Sequence, residues 1–347
     1  MTSSNEMRDA SHARDASHDP GPATAAARAE HVTRAAVAPV ITPSSMVRFG
    51  TAGWTDRTLT APGVFYPPNA TSAEARLRYY ATRFSIVEVD ATYYALPSRQ
   101  MAMLWAQRSP DDFVFDVKAH ALMTGQPSEV ARLPADVRAA LPATLASKPR
   151  IYTKDLPPEL QDAIWTIFLD ALEPLRRAGK MGSILLQYPR WFGPGRTSRE
   201  LIRDARDRLG SWTGAVELRN ARWFTAADRD RTLSLLAELE LPFVMVDAPQ
   251  GTGSSVPPIV AVTAPSLAVV RFHGRRVETW EAPGVGVAER FRYLYDRDEL
   301  EEWVPRLREV AREARNVHVI MNNCYANYGT TNAAELAALF GAAYASS

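Results

Sequence analysis

The rhythm of apolar and polar positions changes abruptly at Val47. Residues 1–45 contain no Leu, Phe, Tyr or Trp, and Arg-Asp-Ala-Ser-His occurs at 8–12 and again at 14–18. A stretch of this kind buries too little apolar surface to offset its ordering entropy, which predicts a disordered low-complexity tail. It also lacks the continuous apolar core of a secretory signal. From Val47 onward, short β-rich runs alternate with segments of helical period. The runs are 47–54, 86–94, 113–120, 183–189, 214–220, 242–248, 267–274 and 317–323. Helical segments are predicted at 72–83, 98–108, 157–178, 198–209, 226–240, 298–315 and 330–341, with Ser72, Ser98 and Thr330 as N-caps. Strands separated by helices imply parallel pairing, and eight such runs predict an α/β fold of the (β/α)8 TIM-barrel type over 46–344. A doubly wound sheet is disfavoured because no Gly-x-Gly-x-x-Gly follows an early strand.

Two connections break the pattern. Residues 121–156 form a long Pro-rich and basic link after the third run, and the sixth run leads into an uncharged Pro/Gly stretch instead of a helix. Both leave from strand ends and are expected to form rims or lids. The uncharged stretch, 248–270, is long enough for a bilayer. However, Pro249, Gly251, Gly253, Pro257, Pro258 and Pro265 interrupt any helix there, so no membrane span is expected.

Polar residues inside the apolar runs carry the chemistry. Strand side chains alternate faces, so Glu88, Asp90 and Thr92 share one side of the second run. Asp116, Lys118 and His120 share a side of the third. Gln187 stands near the end of the fourth run, Glu217 and Arg219 of the fifth, and Asp247 of the sixth. Arg271 and His273 share a face of the seventh, and Asn322 and Asn323 close the eighth. The outer strand face of a barrel meets helices and is apolar, so this set is expected to face the lumen or its mouth. Burying unpaired charge costs several kcal/mol, which requires pairing among these acids and bases.

Charge and cysteine content narrow the classes. Forty Lys plus Arg against thirty-nine Asp plus Glu leave a net charge of +1, without the basic balance of a duplex-binding protein. Nucleic acid is therefore not the expected partner. Cys324 stands alone, which excludes an intramolecular disulfide or a Cys-based zinc cluster and suits a cytoplasmic protein. P-loop, dinucleotide and serine-hydrolase signatures are missing, so no cofactor is called for.

At these same residues the chain resembles the YecE-like family, domain of unknown function 72. The carriers are Gly50-Thr51-Ala52-Gly53-Trp54, Phe65-Tyr66-Pro67, Val87-Glu88-Val89-Asp90 with Thr92-Tyr93-Tyr94, and Leu186-Gln187-Tyr188-Pro189. Val216-Glu217-Leu218-Arg219 with Trp223, then Asp247, Arg271-Phe272-His273-Gly274 and Asn322-Asn323, complete the series over about 47–341. Where the family often has Thr-His after its third-strand lysine, this chain reads Thr124-Gly125. The resemblance implies a TIM-type barrel and supplies no reaction.

Three readings of function follow. The favoured one is an enzyme (hydrolase, lyase or isomerase) doing acid–base chemistry on a small polar, anionic and possibly phosphorylated substrate. In it Glu88, Lys118 and Glu217 are catalytic, and Asp90, Tyr93, His120, Gln187, Arg219, Asp247, Arg271, His273, Asn322 and Asn323 bind substrate. Arg271, Asn322 or Asn323 and the 328–331 backbone are expected to form its anion site. A second reading is a metal-dependent hydrolase or isomerase using Glu88, Glu217, Asp247, His120 and His273, although no tight ligand pair is present. The third is a non-enzymatic binding module. Cys324 near His273 offers a nucleophile, but a single cysteine at a strand end reads better as inert packing.

Overall fold

Each apolar run becomes a strand in the computed structural model, which describes residues 36–345 together with Thr24, Ala27 and Arg28. The strands are β1 Met46–Ala52, β2 Ile86–Val89, β3 Val114–Lys118, β4 Met181–Tyr188, β5 Gly214–Leu218, β6 Val244–Asp247, β7 Ala268–Phe272 and β8 Asn316–Met321. They pair in parallel in the order β5-β4-β3-β2-β1-β8-β7-β6. The ring is nearly closed by one parallel bridge, Val216 to Phe243, supported by the Val216 N–H donating to the Pro242 carbonyl at 2.8 Å. The expected α/β barrel is the observed fold.

Helices cover the outer face: α1 Ala73–Ala81, α2 Arg99–Gln107, α3 Pro158–Arg177, α4 Arg196–Leu209, α5 Arg229–Glu238, α6 Trp303–Glu313 and α7 Tyr328–Ala345. Ser72 and Ser98 cap α1 and α2 as expected, accepting from the N–H groups of Ala75 and Met101 at 3.0 and 3.2 Å. Thr330 does not cap α7, which starts two residues earlier; its hydroxyl donates instead to the Asn327 carbonyl. No helix joins β6 to β7, in keeping with the Pro/Gly stretch.

Two excursions rise from the carboxyl ends of strands. Residues 121–156 follow β3 and contain a small antiparallel pair, Ser128–Glu129 against Arg150–Ile151, over buried Leu133, Val137, Leu141 and Leu145. Residues 274–296 follow β7 and carry two short helices, Val277–Trp280 and Val287–Arg290. Sequence pattern marked the first excursion and passed over the second.

Deep in the lumen, Asp116 ties three strands together. Its carboxylate accepts from the Ser183 N–H and hydroxyl at 2.7 and 2.9 Å and meets His318 Nδ1 at 2.9 Å. The β3–β4 register shifts at this point, and a Cβ on Gly182 would lie 2.4 Å from Asp116 Oδ1. Only glycine fits there.

The boundary expected after residue 45 falls inside paired backbone. Val40 and Ile41 pair antiparallel with Val47 and Met46, and Val37 bridges to Phe84. The Arg28 guanidinium donates to Glu335 at 2.9 and 2.6 Å and to the Tyr295 carbonyl at 2.7 Å. The fold therefore recruits residues 36–45, because their few β-branched side chains suffice where the amino-terminal end of β1, ahead of its pairing with β2, leaves one side open. The repeat at 8–18 lies outside the described residues.

Candidate active site

Register assigns each polar residue a face. Parallel partners point the same way, so Glu88 lies beside Asp116 across β2–β3, and Gln187 beside Glu217 across β4–β5. These side chains, with Arg271, face the lumen. Arg271 sits fully buried between two carboxylates, donating to Glu88 Oε1 at 2.6 Å and to Glu217 Oε2 through its other terminal nitrogen. Glu217 is a hub. Its Oε1 accepts from Gln187 Nε2 at 2.8 Å, meets His273 Nε2 at 3.2 Å, and lies 3.4 Å from Arg219 Nη1. His273 Nδ1 faces Asn322 Nδ2 at 2.8 Å.

Above this layer opens a cavity of about 530 Å3 at the carboxyl ends of the strands. Its polar walls are Asp56, Asp90, Lys118, Gln126, Gln187, Arg219 and Asn322. Trp54, Tyr93, Tyr94, Trp105 and Phe291 supply its apolar walls. Lys118 Nζ lies 3.4 Å from Asp90 Oδ1 and 4.9 Å above the Tyr93 ring. The Arg219 guanidinium stacks 4.7 Å from Trp280.

Electrostatics separate the carboxyl groups. Burial pushes Glu88 up to about 8 against the pull of Arg271, and the Asp90 charge adds to the push. Burial would also raise Asp90, but Lys118 and then Arg271 outweigh it and hold its carboxyl low. For Glu217, burial is overridden by Arg271, His273 and Arg219, which keep it well below the usual range. Burial pushes His273 down to about 4, so its ring is neutral at neutral pH.

Of the expected site residues, Asp90, Tyr93, Lys118, Gln187, Arg219 and Asn322 line the cavity. Glu88, Glu217, Arg271 and His273 form the buried layer beneath it. Three lie elsewhere. Asp247 is in register with outward-facing Phe272 and is held on the outer face by Tyr295 OH at 2.7 Å, Trp303 Nε1 at 2.7 Å and Arg275 Nη2 at 2.8 Å. Asn323 follows inward Asn322, so alternation turns it outward to Asn332 of α7 and the Tyr293 carbonyl. His120 leaves the alternation of β3 because the chain bends into a short 3-10 turn; it packs against Ser128 Oγ at 3.3 Å and accepts from the Leu122 N–H.

These placements correct two expectations. The carboxylate–histidine set of the metal reading is dispersed over different faces. Among the described residues, no three His, Cys, Asp or Glu side chains come together to hold a metal ion. The anion site around Arg271 is also not formed, since two carboxylates already occupy its fork. The space beside Gly329 and Thr330 is only about 10 Å3, too small for a phosphate. Arg219 is the arginine that reaches the cavity: its side chain is 20% exposed and opens on it, against 0% for Arg271.

Pattern reading missed Gln126, Phe291, Val287 and Trp280. Gln126 accepts from Tyr93 OH and donates to the Gln187 carbonyl, at 2.9 and 3.0 Å, from within the marked excursion. The others belong to 274–296, which has no period to read. Trp54 and Cys324 stand out in the sequence as part of a motif and a lone thiol, without a wall assigned to them.

A parallel barrel with a polar, aromatic-walled cavity at the carboxyl ends of its strands defines the class to which this molecule belongs. Within it, the family described as protein of unknown function DUF72 matches residues 48–347, and the chain belongs to that family. The UPF0759 protein YunF of Bacillus subtilis is 28% identical over 281 residues, covering 80% of this chain and 89% of that one. The UPF0759 protein YecE of Escherichia coli is 29% identical over 161 residues, 46% of each chain. Among solved structures, a DUF72 family protein of Thermotoga maritima superposes with a TM-score of 0.66 at 27% identity, covering 84% of this chain and 97% of that one. A DUF72 family protein of Enterococcus faecalis gives 0.67 at 24% identity, covering 85% and 95%. No helix among the described residues is long and apolar enough to cross a membrane.

Proposed function

We propose that the cavity is the active site of a cytoplasmic enzyme doing acid–base chemistry on a small anionic substrate. The observation that carries this reading is the facing pair Asp90 and Lys118 on the cavity floor, backed by a Glu88 that holds its proton to about pH 8. Asp90 is the group that takes a proton from the substrate. Lys118 steadies the negative charge left behind, and Glu88 keeps a proton in reserve behind Asp90. Arg219 reads the anion, with its planar fork stacked on Trp280. Glu217, whose two oxygens are both engaged, positions these groups and moves no proton itself.

Charge supports the anionic preference. With Glu88 protonated and His273 neutral, Asp90 and Glu217 stand against Lys118, Arg219 and Arg271, leaving one positive charge unbalanced on the floor. Asp56 stands apart on the wall, accepting from the Thr58 N–H and hydroxyl at 2.8 and 2.6 Å. Inorganic phosphate should raise the melting temperature of the full chain in a saturable way, and Arg219→Leu should abolish the gain. For the chemistry, a panel of hydroxy acids and sugar phosphates is incubated with the protein in deuterium oxide. Deuterium wash-in seen by NMR, lost in Asp90→Asn and Lys118→Met, supports the enzyme. Intact anion binding with no exchange across the panel makes the protein a binding module.

A further inference from the structure

Resting on that reading of the cavity, we infer that it selects a polyhydroxylated anion, a sugar acid or sugar phosphate, over a plain carboxylate or alkyl phosphate. The inference comes from which way the two floor amides are turned. Glu217 is held ionised by Arg271, so it can only accept hydrogen bonds. Gln187 must therefore offer its NH2 group downward, as its 2.8 Å contact with Glu217 Oε1 shows. The neutral His273 ring must place its one proton on Nε2 to meet the same oxygen, which makes Nδ1 an acceptor. Asn322 is then forced to give its NH2 group to Nδ1 at 2.8 Å.

Both amides line the cavity with their NH2 groups turned down to Glu217 and His273, one N–H of each committed there, so their carbonyl oxygens are turned toward the space left for a ligand. The thiol of Cys324 approaches Asn322 Oδ1 only weakly, at 3.9 Å. Asp90 adds a further acceptor on the floor, and Asp56 one on the wall apart from it. Lys118 and Arg219 supply cationic donors and suit the anionic group of the ligand. The two amide oxygens and the carboxylate oxygens make a row of acceptors, which calls for ligand O–H or N–H groups. Tyr94, 48% exposed at the rim, offers a flat face for the C–H side of a ring. An alkyl chain in the same position strands the two amide oxygens without partners.

Calorimetric titration of the full-length protein tests this with matched pairs: glucose 6-phosphate against hexyl phosphate, and gluconate against hexanoate. The hydroxylated member of at least one pair should bind about tenfold more tightly or better, and which pair does so separates phosphate from carboxylate recognition. In Gln187→Met and, separately, Asn322→Leu, the advantage of the hydroxylated ligand over its alkyl partner should shrink to about threefold or less. Equal affinity within both pairs in the parent overturns the inference and leaves the anion reading standing, as does an advantage that survives both substitutions. If none of the four ligands binds, the anion reading falls and the inference with it.

Discussion

Arg219 and Arg271 are both arginines near the ends of apolar strands with an acid in reach, yet their surroundings give them opposite jobs. Arg271 is clamped by Glu88 and Glu217 in a site with no exposure. Replacing it with Leu leaves the Glu217 carboxylate without its main counter-charge and the Glu88 carboxyl without its donor, and should cost about 3–5 kcal/mol in denaturant unfolding. Arg219→Leu should leave unfolding within about 1 kcal/mol of the parent, because its single contact with Glu217 is long and its side chain is partly solvated. Glu88 adds a pH signature. The folded barrel holds this proton up to about 8, whereas the unfolded chain releases it near 4.5, so between these values the native state binds more protons. Stability from this group is fully present below 4.5 and lost as pH rises through about 8. Glu88→Gln removes the loss, so its melting temperature relative to the parent should climb between about pH 4.5 and about pH 8. A flat difference over that range would mean that Glu88 is ionised in the folded state.

Alternation made most of these residues legible at the scale of single side chains, and it fails where strands stop. Glu88, Lys118, Gln187, Glu217 and Arg271 were all recognisable as charged or polar insertions in apolar runs. Asp247 and Asn323 looked the same, but their parity turns them outward, and parity depends on register with neighbours that a lone strand does not reveal. His120 lies beyond the last paired position of β3, where the two-residue period no longer holds.

Among elements, the same contrast separates the strands and capped helices from the segment after β7. The 274–296 excursion contributes Val287 and Phe291 to the cavity and Trp280 to Arg219, and it is held by specific contacts instead of a period. Arg290 donates to the Trp280 carbonyl at 2.7 Å and to the Ala282 and Val285 carbonyls at 3.2 and 3.4 Å, and Arg276 pairs with Glu289. Its entry turn is Gly274, at φ +85°, where a Cβ would lie 2.6 Å from the Tyr293 Cβ. Gly274→Ala forces both a left-handed backbone and a backbone shift, and should cost about 1–3 kcal/mol in thermal melting while weakening phosphate binding. A variant that melts and binds like the parent would show that the excursion adjusts freely at this turn.

For the molecule as a whole, the barrel's extent differs from what composition suggests. A chain starting at residue 46 loses the Val40–Ile41 pairing, the Val37 bridge and the Thr42–Ser45 turn. It should melt several degrees below a chain starting at residue 36, by about 1 kcal/mol of stability or more. Equal melting temperatures would restore the boundary that composition implies. The eight-fold alternation was readable because it follows from burial on both strand faces, whereas the added edge strand depends on a neighbour far away in sequence.

The near-closure between β5 and β6 has a consequence for how the barrel breathes. β6 meets β5 through a single bridge beside Pro242, which has no amide proton to offer, and no helix follows to cover it. Its anchors are its pairing with β7 and the outward clasp of Asp247 by Tyr295, Trp303 and Arg275. Native-state amide exchange should therefore deprotect β6 and the Val216 amide before β1 and β8, each of which is paired along both edges. None of the cavity's walls comes from β6. Sub-global opening is thus directed to a stave that lends the cavity no wall residue and meets its surroundings through the clasp of Asp247 on Arg275 and Tyr295.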